Sequence, residues 1–133
     1  MLVLKRKHNP HQELLLVGSL ITGAAYSFGA PPPASVSALL PVWQVHVWAA
    51  AMFVSGVAGM AGCYWRGDYI VARRLESGGM ELGASVMLAY AGYLFAVAGG
   101  RALGAGVTFA LWAAANLWRS VQIHQELKEV ARK

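Results

Sequence analysis

Four long apolar segments, separated by short polar breaks, constrain this chain more than any other feature of its sequence. They cover residues 13–29, 39–64, 82–98 and 102–118, and each reaches the roughly 17–25 residues that cross a hydrocarbon core of about 30 Å. Runs of this length without alternation of polar and apolar residues favour helices over barrel strands. The sequence therefore predicts an all-α fold, an integral membrane bundle of four transmembrane helices in a single domain, 1–133.

The overall composition also favours lipid as the solvent. The chain is 57% hydrophobic and 13% charged, whereas an ordinary soluble domain is about 25% charged. A chain of 133 residues has too much surface for its volume to hide this apolar content from water. The net charge of +5 comes from Lys and Arg at the ends of the apolar segments, so a nucleic-acid partner is not expected.

Basic residues in the short breaks predict how the chain is oriented in a membrane. They precede the first span, separate the second from the third and follow the fourth, whereas Arg101 is the one basic residue on the opposite side. Both termini are therefore expected on the cytoplasmic side of a bacterial inner membrane. The predicted contacts with anionic lipid headgroups are made by Arg66, Arg73, Arg74 and Arg119.

Local signals predict where the first helix begins and ends. Asn9 is expected to cap it, with Pro10 at the first position and Gln12 completing a capping box. The prolines at 31–33 are expected to end it. A basic start followed by an apolar run also fits a secretory signal peptide, but a proline directly after the small-residue site at 28–30 disfavours cleavage.

The stretch WRGDYIVARRLESGG, residues 65–79, interrupts the apolar segments at the centre of the chain. Arg66-Gly67-Asp68 matches the integrin-binding tripeptide, but the predicted cytoplasmic position makes this a chance match. Val71 and Leu75 are four residues apart and fit a short helical segment at the membrane interface. We expect a membrane-interface hinge, and partner docking is the alternative.

Polar residues within the apolar segments are the candidates for chemistry, since ionisable groups are costly in lipid. His46, next to Gln44 in sequence, fits a haem or metal ligand, a proton relay or an interhelical hydrogen bond, of which the hydrogen bond is favoured. Asn116 is the third intramembrane polar candidate. Glu13 and Glu81 are explained by the dipoles at helix starts. The sequence contains no nucleophile–base motif, phosphate-binding glycine loop or zinc spacing, so neither an enzyme nor a cofactor nor a metal site is expected.

Small residues recur at four-residue spacing within the first two spans. This spacing lets helix backbones approach closely in lipid. Packing within one bundle and self-association into an oligomer both remain open. The predicted packing positions are Ser19, Gly23, Ser27, Ser55, Gly59, Gly62 and Cys63.

The C-terminal segment 119–133 continues beyond the fourth apolar segment. Ile123, Leu127 and Val130 form a stripe at helical spacing. Such an amphipathic helical tail fits three positions: on the membrane surface, against the loop containing Arg73, or on a partner. The membrane surface is the favoured one.

The order of several short motifs resembles a known group of proteins. NPHQELLL, a proline-rich loop, CYWRGD, RRLESGGMEL and ANLWRSVQIHQEL follow one another along most of the chain. This order is similar to that of small four-span membrane proteins of actinobacterial phages and prophages. Such proteins often accompany lysis genes, so the resemblance implies a holin-like role and no catalytic residues.

The sequence as a whole thus predicts a non-enzymatic multi-pass membrane protein that self-associates, with holin-like membrane permeabilisation as its function. Its partners are expected to be the lipid bilayer and further copies of itself. The alternatives are an accessory subunit of a larger membrane protein complex and a small transporter that uses His46.

Overall fold

A computed structural model describes residues 10–32 and 34–132, and within them the chain is helical and has no strand. The prediction of an all-α fold is therefore confirmed. A 3-10 turn, Gly99–Ala102, connects the last two helices. The α-helices are α1 Pro10–Ser27, α2 Ala34–Leu39, α3 Val42–Tyr64, α4 Tyr69–Ala98 and α5 Leu103–Ala131.

Glycine and proline mark the connections at one end of the structure. α1 ends before the prolines, and Gly29 has a φ of 99°, a conformation that favours glycine. Pro41 is the N-cap of α3. Gly99, with a φ of 51°, separates α4 from α5. The expected cap of α1, Asn9, lies outside the described residues.

The central stretch is a short turn followed by α4, which begins at Tyr69 and includes Val71 and Leu75 of the expected helical segment. Its position at a membrane interface stays a prediction. The Asp68 carboxylate accepts hydrogen bonds from the backbone N–H of Ile70 at 2.6 Å and of Val71 at 3.4 Å. Such a cap satisfies amide groups that a helix start leaves unpaired. The turn is therefore confined to residues 65–68, and Asp68 acts in helix capping.

The long helices pack as a row in the order α1, α3, α4, α5, and α1 meets α5 at few positions. Glycines set the close approaches within this row. A Cβ on Gly23 would overlap the Phe53 backbone, and one on Gly56 would lie 2.6 Å from the Leu20 backbone nitrogen. The α1–α3 pair is thus held at backbone contact distance.

Aromatic side chains connect the long helices at the end where α1 leads to α2. Ring centroids are 5.8 Å apart between Tyr26 and Trp48, 5.6 Å between Trp48 and Tyr90, and 4.8 Å between Tyr90 and Phe109. Each helix of the row contributes one ring to this aromatic row. The last pair is edge to face, an arrangement that aromatic rings favour.

The outer helix surfaces are largely apolar. Two helical stretches are long and apolar enough to cross a membrane, Val42–Tyr64 and the α4–α5 stretch Tyr69–Ala131. In the most apolar 18-residue segment of each stretch, less than half is buried against the rest of the chain: 44% in the first stretch and 33% in the second. Exposed large apolar residues occur on every long helix, including Ile21, Val54, Leu88 and Leu111.

The C-terminal part of α5 packs along the first turns of α4. Ile123 is fully buried, and Arg73 forms an ion pair with Glu126 at 3.0 Å. Of the three positions open to the tail, the structure shows the one against the segment containing Arg73. Contact of the tail with a membrane surface stays a prediction.

Candidate functional site: a buried charged cluster

Glu76 is the centre of a buried group of charges where α1 and α4 begin and α3 and α5 end. Its carboxylate pairs with Arg73 at 2.7 Å and with Arg119 at 3.2 Å, and it accepts a hydrogen bond from the Gln12 side chain. The Arg119 Nε also donates to the side-chain amide oxygen Oε1 of Gln12 at 2.7 Å. Side chains of α1, α4 and α5 therefore converge on one carboxylate.

A second carboxylate balances the two guanidinium groups. Glu126 lies 3.0 Å from Arg73 and 3.4 Å from Arg119. Tyr69 accepts from the Arg73 Nε at 3.2 Å. With two arginines and two glutamates the group is electrically neutral. We call it the charged cluster; its members are Gln12, Tyr69, Arg73, Glu76, Arg119 and Glu126.

The electrostatics of Arg73 show how a buried charge is tolerated here. Burial alone disfavours a guanidinium ion, but hydrogen bonds with Tyr69 and Glu76 outweigh it and raise the pKa of Arg73 above its usual value. The Arg73 guanidinium carbon also lies 5.3 Å from the Tyr69 ring centroid, within the range of a cation–π contact. Arg73 therefore remains charged inside the protein.

A hydroxyl cluster adjoins the charged cluster between α4 and α5. The Ser77 and Ser120 hydroxyls are 2.8 Å apart, and both donate to the Glu81 carboxylate. The hydrogen bond from Ser120 lowers the pKa of Glu81 in spite of partial desolvation, and Ser77 and His124 act in the same direction. The contribution of the ionised Glu81 carboxylate to the free energy of unfolding is thus present at neutral pH, and it is lost as the pH falls through this lowered pKa.

The predicted intramembrane polar residues do not come together. His46 is exposed near the start of α3, at the opposite end of that helix from the charged cluster, and Gln44 is half-buried. Asn116 is buried next to a cavity of about 260 Å³ between α1 and α5. Its Oδ1 has no hydrogen-bond partner among the described residues.

Most of the predicted small packing residues are buried in contacts between helices of the same chain. Ser19, Gly59 and Cys63 are buried, and the Ser55 hydroxyl donates to the Gly79 carbonyl of α4 at 2.7 Å. A Cβ on Gly62 would overlap the α4 backbone at Glu76, and one on Gly23 would overlap α3. Ser27 is exposed. The small faces of α1 and α3 therefore serve contacts within one chain.

The four predicted headgroup contacts separate into two pairs. Arg66 and Arg74 are exposed, whereas Arg73 and Arg119 are engaged in the charged cluster. Contact with lipid headgroups stays a prediction for all four.

Sequence reasoning did not identify the charged cluster as a site. The sequence predicts Gln12 as part of a helix cap, and no sequence pattern points to a role for Glu76 or Glu126. The spacing of Arg73 and Glu76, three apart on one helix, is the local signal that points to it. The contacts that join α1 to α5 have no such signal, because their partners are far apart in sequence.

The arrangement is suited to fixing helix positions. Each charge of the cluster is already paired, and two of the ion pairs, Arg73 with Glu126 and Arg119 with Glu76, join α4 to α5. No three His, Cys, Asp or Glu side chains form a metal-ligand group within residues 10–32 and 34–132. Comparisons with models of protein families, with curated proteins and with solved structures give no match to this chain.

Proposed function

We propose that the chain is a four-span protein of the bacterial inner membrane with both termini in the cytoplasm. Support comes from helix length and from surface chemistry. The 18 residues of α1 extend about 27 Å and the 23 of α3 about 35 Å, close to the thickness of a hydrocarbon core. The 30 residues of α4 are longer, so its charged first turns project beyond the lipid together with the end of α5.

This topology predicts the accessibility of single cysteines. In a Cys63→Ala background, an impermeant maleimide should label Ser37→Cys in spheroplasts, because residue 37 lies between the first two spans. Lys128→Cys should react only after the membrane is permeabilised. Labelling of both positions in sealed spheroplasts would contradict the proposed orientation.

Within that membrane, the function that the geometry supports best is non-enzymatic self-association of the holin-like type. The observation that carries it is a stripe of small residues on the outer face of α4. Ser85, Ala89, Gly92 and Ala96 are exposed at spacings of three and four, and a Cβ on Gly92 would meet no atom within 4 Å. Such a face permits close approach of another helix in lipid.

The stripe predicts a matched pair of variants. Gly92→Leu should weaken self-association by about tenfold, because it removes close approach without disturbing the protomer. Ala50→Leu, on an exposed α3 face with Val47 and Val54, should leave it unchanged. Förster transfer between labelled copies at increasing lipid dilution measures the affinity. Equal transfer for the two variants would exclude the α4 stripe as the contact.

The holin-like activity is tested in cells that contain a cytoplasmic muralytic enzyme. Expression of the wild type should cause abrupt depolarisation followed by a fall in turbidity, and Gly92→Leu should delay both. Stable accumulation of the wild type with the membrane potential intact would exclude membrane permeabilisation as the function and would favour the accessory subunit.

The transporter alternative predicts that His46→Ala abolishes a pH-dependent flux.

A further inference from the structure

A pocket with charged and apolar walls opens between α4 and α5 beside the hydroxyl cluster. Its volume is about 480 Å³, within the range of small-molecule sites. The side chains that line it include Glu81, His124 and Lys128, together with Leu117 and Val121, which are both exposed. An anion, a cation and an apolar wall therefore share one opening on the outer surface of the helix row.

The pocket crosses the level at which the hydrocarbon core ends in the proposed topology. On α5, Val121 lies about 27 Å and Lys128 about 38 Å along the axis from Leu103. On α4, Glu81 lies about 26 Å from Ala98. With a core of about 30 Å that begins at the turn between these helices, Val121 lies at the inner edge of the core and Lys128 at the level of the lipid headgroups.

Glu81 supplies the anionic group of the pocket. The Ser77 and Ser120 hydroxyls both donate to its Oε1, and its side chain remains 49% exposed. These hydrogen bonds hold the carboxylate in one position, and the exposure leaves it accessible to a cation from outside the chain.

His124 adds a hydrogen-bond acceptor next to this carboxylate. Its Nδ1 lies 2.9 Å from the Ser120 carbonyl oxygen, which can only accept, so Nδ1 carries the proton and Nε2 of the neutral ring is an acceptor. The same Nδ1 lies 3.8 Å from Glu81 Oε1. A primary ammonium group, with a positive charge and three N–H donors, matches these two acceptors.

Lys128 supplies the opposite charge. In a helix the Cα–Cβ bonds tilt towards the N-terminus. The Lys128 side chain on α5 therefore extends back towards the lipid, and the Glu81 side chain on the antiparallel α4 extends towards the cytoplasm. The two charges thus approach each other across the pocket, as the ammonium and phosphate groups of a zwitterionic headgroup do.

We propose that this pocket binds phosphatidylethanolamine of the inner leaflet, with its ammonium group at Glu81 and His124 and its phosphate at Lys128. One acyl chain then lies against Leu117 and Val121. An anionic headgroup would place no cation at the carboxylate. This inference rests on the proposed membrane insertion, and it adds one specific lipid to it.

Three phospholipids with the same acyl chains provide the test. Phosphatidylcholine is zwitterionic, but its ammonium group has no N–H donor, and phosphatidylglycerol has no cation. The purified protein is equilibrated in nanodiscs with equal amounts of these two lipids and phosphatidylethanolamine, and the lipids that remain bound are counted by native mass spectrometry. We expect phosphatidylethanolamine to be preferred about three- to tenfold over each of the others, the value of one charge-assisted hydrogen bond at a half-exposed site.

Variants assign the preference to the pocket. Glu81→Gln keeps an acceptor for the serine hydroxyls but removes the charge, and it should reduce the preference to about one. Glu129→Gln removes an exposed α5 carboxylate outside the pocket and should retain it. Lys128→Gln should lower the retention of all three lipids, because each contains a phosphate. Each variant is first checked for wild-type helicity by circular dichroism.

The outcomes separate the two proposals. Failure of the wild type to enter nanodiscs would overturn the membrane assignment. Entry without a preference for phosphatidylethanolamine would overturn the lipid site alone, as would a preference that Glu81→Gln retains. A preference for phosphatidylglycerol would assign the pocket to anionic lipid and would also overturn the site.

Discussion

Replacing Glu76 by Gln is expected to lower the free energy of unfolding by about 3–5 kcal/mol, the usual cost of breaking a buried ion pair. The reason lies in the charges that remain. Arg73 is buried and Arg119 half-buried against this carboxylate, and Glu126 alone cannot balance two guanidinium ions. Reversible unfolding of the detergent-solubilised protein by dodecyl sulfate, followed by circular dichroism, measures the change.

A surface variant and a double variant make this prediction specific. Glu129→Gln removes an exposed carboxylate from α5 and should change stability by less than about 0.5 kcal/mol. The double variant Glu76→Gln with Arg119→Gln restores neutrality and should be less destabilised than the sum of the single changes. Additive losses would mean that the two residues do not interact in the folded protein.

The second large effect is expected at Gly79, where a single added methyl group should destabilise the fold by about 1–3 kcal/mol. A Cβ on Gly79 would overlap the α3 backbone at Gly59 and lie 2.7 Å from the Ser55 carbonyl oxygen. Backbone atoms in a packed helix pair cannot move aside at low cost. The Gly79→Ala variant should therefore separate α3 from α4, and its unfolding midpoint in dodecyl sulfate should fall.

Its neighbour provides the matched control. Gly78 is exposed, and a Cβ there would meet no atom within 4 Å. Gly78→Ala should therefore stabilise α4 by about 0.5–1 kcal/mol, because alanine loses less backbone entropy in a helix than glycine. The two variants differ by one position and should change stability in opposite directions. A loss of stability for both would point to a general sensitivity of α4 to substitution.

The glycines show what spacing reveals about packing. Four-residue spacing predicts that Gly23, Ser55, Gly59 and Gly62 are packing positions, and the structure places all of them in contacts between helices of one chain. The spacing does not say which helix is the partner. The sequence therefore leaves open whether small residues pack within one bundle or between copies of the protein. The stripe around Gly92 can be distinguished only in the structure, because there the small faces of α1 and α3 already contact other helices of the same chain.

The charged cluster shows the complementary case. Arg73 and Arg119 fit lipid headgroup contacts when they are considered one at a time, since they follow or precede apolar segments. The pairing of Arg119 with Glu76 depends on α1, α4 and α5 meeting at one end, and such contacts link residues as far apart as Gln12 and Arg119. Local periodicity carries no information about these pairs.

The sequence alone determined the helical class, the apolar lengths of the helices and the positions of most breaks, because these depend on local properties: run length, proline, glycine and the distribution of charge. Only the tertiary structure decided which faces are occupied, which charges are buried and that α4 begins at Tyr69. Those features arise from contacts between distant segments. Packing energies at such contacts exceed the weak local preferences that a sequence displays.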